Sequence, residues 1–311
     1  MKKVVVVGSI NMDLVTMCQR VPKAGETIFG DRFFQVPGGK GANQGVAMGK
    51  LGTKVTMLGK VGEDSFGNDL INSMKNSGVN TDYIERSKNS TGIAKIIVEA
   101  NGQNRILVVS GANMDVDKEY IDRHIDVIKD ADIVVTQLEL PLPTVEYVLE
   151  KAKEFDKLTI LNPAPAEPLN EKIIRSSDII IPNETELSFI TRMPTDTDEE
   201  IKAACEKLLD IGVKELIVTL GSKGSLHINR EKSQFHSAYM VKAIDTTAAG
   251  DSFIGGFVKA LNKNNIDEAI EFGTKVSAIA VTRIGAQSSI PTLKEVNEFQ
   301  GVKRSWKKVD Y

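Results

Sequence analysis

The chain of 311 residues predicts an α/β fold: a central, mostly parallel sheet with helices on both faces and a small β-sheet lid. Three observations carry that prediction. Uninterrupted β-branched runs recur along the sequence, helical stripes of apolar residues lie between them, and two short stretches depart from the alternation. Strand and helix alternating at this spacing build a parallel sheet, because each parallel pair needs a crossover.

Val4–Val7 is the first such run. It has no polar alternation, so it reads as a strand buried on both faces. Ile133-Val134-Val135, Leu158–Leu161, Ile179-Ile180-Ile181 and Leu216–Thr219 repeat the signature. Phe66, Leu70, Ile71 and Met74 share one helical face, and Gly78 follows as a stop. Asp117 is placed to cap a stripe made by Ile121, Ile125 and Ile128. Pro143 opens a helix where its missing N–H costs nothing, with Val145, Val148, Leu149 and Ala152 facing inward. Ile201, Cys205, Leu208 and Leu209 form the next stripe, before Gly212. The result is a Rossmann-like sandwich.

Residues 12–36 carry apolar stretches without helical period, and 92–110 read as a hairpin that turns through Asn101-Gly102. A lone hairpin is marginal, so the two are expected to combine into one accessory sheet. Residues 1–11, 38–91 and 111–311 then form the α/β body, and 12–37 and 92–110 the lid. One lid face would cover a ligand and the other would be partly apolar, with Ile93, Ile97, Ile106 and Val108 as its candidates.

Lysine plus arginine number 39 and aspartate plus glutamate 42, a net charge of −3, so nothing global suits a nucleic acid partner. Hydrophobic residues at 41% and charged residues at 26% describe a globular chain. The opening apolar run stops at Ser9, short of a signal peptide, and no stretch approaches the roughly 18 apolar residues of a membrane span. Cys18 and Cys205 have no disulfide or metal-site pattern, which suits a reducing cytoplasm. The basic run Lys303–Lys308 reads as a solvated tail, and His124, His227 and His236 as surface or hairpin residues.

Two clusters carry chemistry. Gly38-Gly39-Lys40-Gly41-Ala42-Asn43 lies between a strand-like stretch (33–36) and a helix (44–51), and its glycines let backbone approach a ligand closely. It is neither common phosphate motif: Gln44 stands where a dinucleotide fingerprint needs its third glycine, and Gly41 where a P-loop needs Ser or Thr. A tight turn with a helix cap would explain the glycines, but needs neither Lys40 nor Asn43. The second cluster, Asp245-Thr246-Thr247-Ala248-Ala249-Gly250-Asp251, leads into an apolar helix. Small residues there leave the first N–H groups open to an anion. Asp251 would be a plain cap, or a base taking the proton of a hydroxyl that attacks a bound phosphate.

In this order, about 200 residues apart, the two clusters resemble the ribokinase family of carbohydrate kinases. Gly8–Asp13, Asn183–Glu186, Thr219–Gly224, Leu161–Ala166 and Thr282–Gln287 extend the resemblance from Lys3 to about Phe299. Ala248-Ala249 departs from the Gly-Ala of many relatives, though alanine is still small. The resemblance implies that ATP, with Mg²⁺, phosphorylates the 5-hydroxyl of D-ribose. It makes Asp251 the base, with Ala248, Ala249 and Gly250 offering amides to the phosphoryl group. Asn11, Met12, Asp13, Gly39, Lys40, Gly41, Ala42, Asn43 and Glu139 would hold the sugar. Asn183, Thr219, Leu220, Gly221, Ser222, Lys223 and Gly224, with Gly250 and Asp251, would meet the nucleotide, and Glu186 the magnesium through water. Asp245, Thr247, Ala280, Arg283, Gly285 and Ser289 match a monovalent-cation site, expected to take K⁺, and family members pair their lids, which implies a homodimer. Another small sugar, such as 2-deoxyribose or a fructose phosphate, or a nucleoside, is the nearest alternative; a sugar-binding regulator would have no use for Asp251, and Gln44 weakens a dinucleotide dehydrogenase.

Overall fold

The computed structural model describes residues 2–262 and 265–304; Ser305–Lys308 of the basic run lie outside them. The strands are β1 (Lys3–Val7), β2 (Asn11–Cys18), β3 (Arg32–Gly38), β4 (Lys54–Gly62), β5 (Val79–Asn80), β6 (Ile84–Ser87), β7 (Gly92–Glu99) and β8 (Asn104–Val109), followed by β9 (Ile133–Thr136), β10 (Leu158–Leu161), β11 (Ile179–Ile180), β12 (Glu215–Thr219), β13 (Gly224–Ile228) and β14 (Ser233–Ser237). The helices are α1 (Lys40–Lys50), α2 (Ser65–Asn76), α3 (Lys118–Arg123), α4 (Ile125–Lys129), α5 (Leu142–Glu154), α6 (Glu171–Arg175), α7 (Glu184–Thr191), α8 (Asp198–Ile211), α9 (Ala249–Ala260), α10 (Ile266–Ala280) and α11 (Leu293–Glu298).

The large sheet runs β14-β13-β12-β11-β10-β9-β1-β4-β5, with β6 beside β4. It is parallel from β12 to β5, and the β13–β14 hairpin is antiparallel. The β-branched runs sit at its centre. Val5 and Val7 point into one core with α5 and α8, while Val4 and Val6 point into the other with α1, α2 and α9. Fully burying a valine is worth about 1.5–3 kcal/mol, so a strand apolar on both sides gains twice from a position between two helix layers. Parallel strands also align their carboxyl ends, where ligands bind in open α/β sheets.

Two helices differ from expectation. The stripe after Asp117 is cut at His124 (φ −114°, ψ 17°) into α3 and α4, because the imidazole turns to Glu85 (3.0 Å) and packs edge-on against Tyr83 and Tyr120. The second, α1, begins at Lys40 rather than Gln44. Gly39 adopts φ 88°, which turns the chain so sharply after β3 that Gly41, Ala42 and Asn43 already form the first helical turn. That turn lies against the end of β1, and a Cβ on Gly41 would come within 2.6 Å of the Gly8 Cα.

The second sheet has the order β3-β2-β7-β8 and joins the two stretches that broke the alternation. Its register corrects the expected apolar face. Ile106 and Val108 lie opposite Ile96 and Ala94, on the face that carries Asp13 through its pairing with Ala94. Ile93 and Ile97 lie on the other face, with Leu107 level with Lys95 and Val109 level with Ile93. Side chains alternate with period two, so a one-residue difference in alignment moves a residue to the opposite face. Edge strand β8 is exposed along its whole length.

Candidate active site

Asp251 lies in the first turn of α9, only 8% exposed. Its two carboxylate oxygens each accept a side-chain hydrogen bond, Oδ2 from Asn43 Nδ2 and Oδ1 from Gln44 Nε2, both 3.0 Å. Gln44 also donates to Asn162 Oδ1 (3.1 Å) and accepts from Gln137 Nε2 (2.7 Å). Each oxygen keeps a lone pair for a proton. Burial pushes the Asp251 pKa up, against the nearby Lys40 charge and these two amide donors. A general base gains from that direction, since its pKa approaches the working pH.

The amides around Asp251 are open, with one change from expectation. The first helical bond of α9 runs from Ser252 N–H to Ala248 O (2.8 Å), so Gly250 and Asp251 have no acceptor inside the helix. The Ala249 amide instead donates to Thr246 O (3.1 Å). Ala248 itself is left-handed (φ 59°), an arrangement that costs a residue with a Cβ on the order of 1 kcal/mol. A Cβ built on Gly250 meets nothing within 4 Å.

Lys40 stands among carboxylates. Asp251, Glu139, Glu186 and Asp13 together raise its pKa, although burial opposes them. The same crowding acts in reverse on Asp13: burial first, then Glu139 and Asp251, push its carboxyl up to about 7. Glu139 follows β9, and its Oε2 accepts from the Ser9 hydroxyl and from the Lys40 amide (3.1 Å). Asn11 is buried at the start of β2, where its Oδ1 accepts from Asn113 Nδ2 (2.7 Å). Met12 is also buried, but packs into the core. Asn43 Oδ1 is a buried acceptor with no partner among the described residues, so it is left for a ligand hydroxyl.

A cavity of about 190 Å³ brings Lys40, Asn183, Glu186, Thr219 and residues 248–251 to one place, with Asn162, Thr246 and Ile254. A larger one, about 460 Å³, opens among the amino ends of β1 and β4, but its Lys3 and Arg123 are already paired with Asp130 and Glu85. The smaller cavity is the candidate site, because it holds the buried carboxylate and the open amides. Asn183 and Glu186 form a reciprocal cap on α7, both Glu186 oxygens accepting from Asn183 at 2.9 Å. The cap is the plain structural role for this pair, and it holds Glu186 in the cavity wall. Gly221 (φ 55°) and Gly224 (φ 134°) turn the chain after β12, with Ser222 and Lys223 in the short 3₁₀ turn between them. Leu220 is buried in the core, so only its backbone can meet a ligand.

Loops 245–247 and 280–289 are tied together as well. Asp245 accepts from Thr247 N–H and Gly285 N–H, both 2.8 Å. Ser289 Oγ donates to Ala286 O and the Ala280 carbonyl accepts from Arg283 N–H, while the Arg283 side chain turns to Glu295.

A family model for pfkB family carbohydrate kinases matches residues 1–293. The chain belongs to the pfkB family of carbohydrate kinases. Its reaction is the ATP-dependent phosphorylation of a sugar hydroxyl. The chain is 42% identical to a ribokinase of Schizosaccharomyces pombe, over 98% of its own length and 100% of that protein. It is 40% identical to a deoxyribokinase of Salmonella typhi, over 95% and 98%. The solved structure of Arabidopsis thaliana ribokinase complexed with ribose and ATP superposes with a TM-score of 0.91 at 35% identity, covering 96% of this chain and 99% of that one.

Sequence reasoning missed part of the candidate site. Gln44 was read only as the residue that spoils a dinucleotide fingerprint, yet it holds the Asp251 carboxylate and joins it to Asn162 and Gln137. Asn113 and Ser9, which position Asn11 and Glu139, were not singled out. All five are polar side chains in apolar surroundings, a signal visible only once burial is known.

Proposed function

We propose that the sugar is D-ribose and that Asp251 is the base for its 5-hydroxyl. The observation that carries this reading is the buried Asp251 carboxylate, fixed by Asn43 and Gln44 beside the open amides of its own helix turn. As the hydroxyl oxygen bonds to the γ-phosphorus of ATP, its proton passes to Asp251 and the bond to the ADP oxygen breaks. The Gly250 and Asp251 amides and the dipole of α9 stabilise the charge on the phosphoryl oxygens. Asn11, Asp13, Lys40, Asn43 and Glu139 read the sugar through hydrogen bonds, because a small polyol offers little apolar area. Residues 219–224 and Asn183 hold the nucleotide.

Magnesium, when bound, neutralises phosphate charge. Glu186 suits a water-mediated role toward it, since both its oxygens are already engaged by Asn183. Asp245 and Gly285 join two loops whose carbonyls would suit K⁺, and the ion would hold the 245–251 turn with its amides toward the phosphate. Exposed, apolar β8 supports pairing with a second copy of the chain. No helix among the described residues is long and apolar enough to cross a membrane, and both cysteines are buried and unpaired, which fits a cytoplasmic enzyme.

The similarity to a deoxyribokinase makes 2-deoxyribose the second candidate. A panel of ribose, 2-deoxyribose, fructose phosphate and nucleosides with ATP and Mg²⁺, scored by ADP release, decides between them. Ribose should give the highest kcat/KM; a higher value for any other acceptor overturns the assignment.

A further inference from the structure

The β13–β14 hairpin places His227 and His236 on one face of the sheet, opposite Asp267 in the first turn of α10. None of the three lines the catalytic cavity: His227 lies three residues along β13 from Gly224, or about 10 Å at strand spacing, and His236 is paired with Ser225 beside it. His227 is fully buried and His236 is 8% exposed.

The hydrogen bonds around them leave one buried ring nitrogen unused among the described residues. His227 Nε2 lies 2.7 Å from Glu215 Oε2, a carboxylate that can only accept, so the imidazole proton belongs on that nitrogen. Nδ1 of the same ring faces Asp267 Oδ1 at 3.2 Å. His236 Nε2 is buried without a hydrogen-bond partner among the described residues, and lies 3.3 Å from the same oxygen. Three ligand-type atoms, His227 Nδ1, His236 Nε2 and Asp267 Oδ1, thus face one another.

We infer that His227 Nδ1, His236 Nε2 and Asp267 Oδ1 form a binding site for one divalent transition-metal ion of the Zn²⁺ type. A tetrahedral ion with bonds of about 2.0–2.2 Å spaces its ligands by about 3.3–3.5 Å, and both nitrogens already lie near that distance from the oxygen. All three atoms are within 4.8 Å of one another, so closing the set needs a side-chain shift on the order of 1 Å. Glu215 supplies the carboxylate that orients a metal-bound histidine through its other nitrogen. Lys232 engages the opposite oxygen, Asp267 Oδ2, at 2.6 Å, and leaves Oδ1 to the ion. Two imidazoles with one carboxylate favour Zn²⁺, Co²⁺ or Ni²⁺ over Mg²⁺, which prefers oxygen ligands. The ion would fasten the hairpin to α10 without touching the reacting groups.

The test uses the full chain, stripped of metal by a chelator and dialysed, then titrated with ZnCl₂ in excess Mg²⁺. One equivalent should bind with a micromolar or tighter dissociation constant, and Co²⁺ should show the visible bands of a four-coordinate site. Zn²⁺ at a hundredfold excess over its dissociation constant should raise the folded-to-unfolded ratio about a hundredfold. His236→Gln and Asp267→Asn should each weaken Zn²⁺ binding at least about tenfold while Mg²⁺-supported turnover stays unchanged. Absence of stoichiometric binding to the wild-type chain, or binding as tight as wild type in both variants, overturns the proposal. If the variants do not fold, imidazole NMR of the wild type decides: Zn²⁺ must shift both histidines, and a doubly protonated His227 that ignores the ion refutes the site.

Discussion

Replacing Asp13 by Asn should stabilise the ligand-free enzyme at neutral and higher pH while damaging sugar binding. Asp13 is pressed by burial and by Glu139 and Asp251, so its carboxyl holds its proton up to about 7, against 3.8 for the ordinary group. The native state therefore binds one more proton than the unfolded chain between these values, and stability must fall as pH rises through that window. A difference of about three pK units corresponds to on the order of 4 kcal/mol, reached only above pH about 7 and vanishing below about 4. Asn keeps the shape and removes the charge. The stability difference between variant and wild type should be near zero at pH about 3.5, grow through the window and level off above about 7.5. Urea unfolding of both proteins across this range measures it directly, with sugar and nucleotide absent. A difference that is independent of pH, or that shrinks as pH rises, would refute the placement of Asp13 among the carboxylates. The same variant should lose affinity for ribose far more than for ATP; equal losses would make Asp13 structural.

Asp251→Asn should fold and bind sugar but lose at least about a hundredfold in turnover, the lower end for loss of a general base; more than a tenth of wild-type turnover remaining excludes Asp251 as the base. Gln44→Met removes three buried hydrogen bonds, one to a carboxylate, and should cost about 3–5 kcal/mol of stability. Loss of that donor also lifts the Asp251 pKa, so the acid limb of the rate profile should move to higher pH, and an unmoved limb contradicts the role given to Gln44. Turnover in K⁺ or Cs⁺ should exceed that in Na⁺ or in a bulky organic cation at equal ionic strength, with little change in KM; equal rates dismiss the cation site. Sedimentation should show a dimer at micromolar concentration that Leu107→Glu dissociates, and a wild-type monomer would rule out pairing through β8.

The alternation of strands and helices, the double burial of β1 and β9, the hairpin of β7 and β8 and the place of Asp251 in the first turn of a helix were all legible in the sequence, because each is written in local spacing. Apolar periodicity depends only on neighbours along the chain, and so does a run of small residues before a helix. What the sequence could not specify was set by contacts between distant segments. Asn43 and Asp251 are 208 positions apart, and Gln44 takes its role only when α1 packs beside α9. The lid's faces were misassigned because a strand alternates with period two, and its register to a neighbour decides which set points inward. His227 and His236, read as hairpin or surface residues, are buried against Asp267 because α10 closes over their strands. Asp13, Glu139, Glu186 and Asp251 come from four separate segments, and only the fold gathers them around Lys40, where burial raises the pKa of Asp13, Glu186 and Asp251.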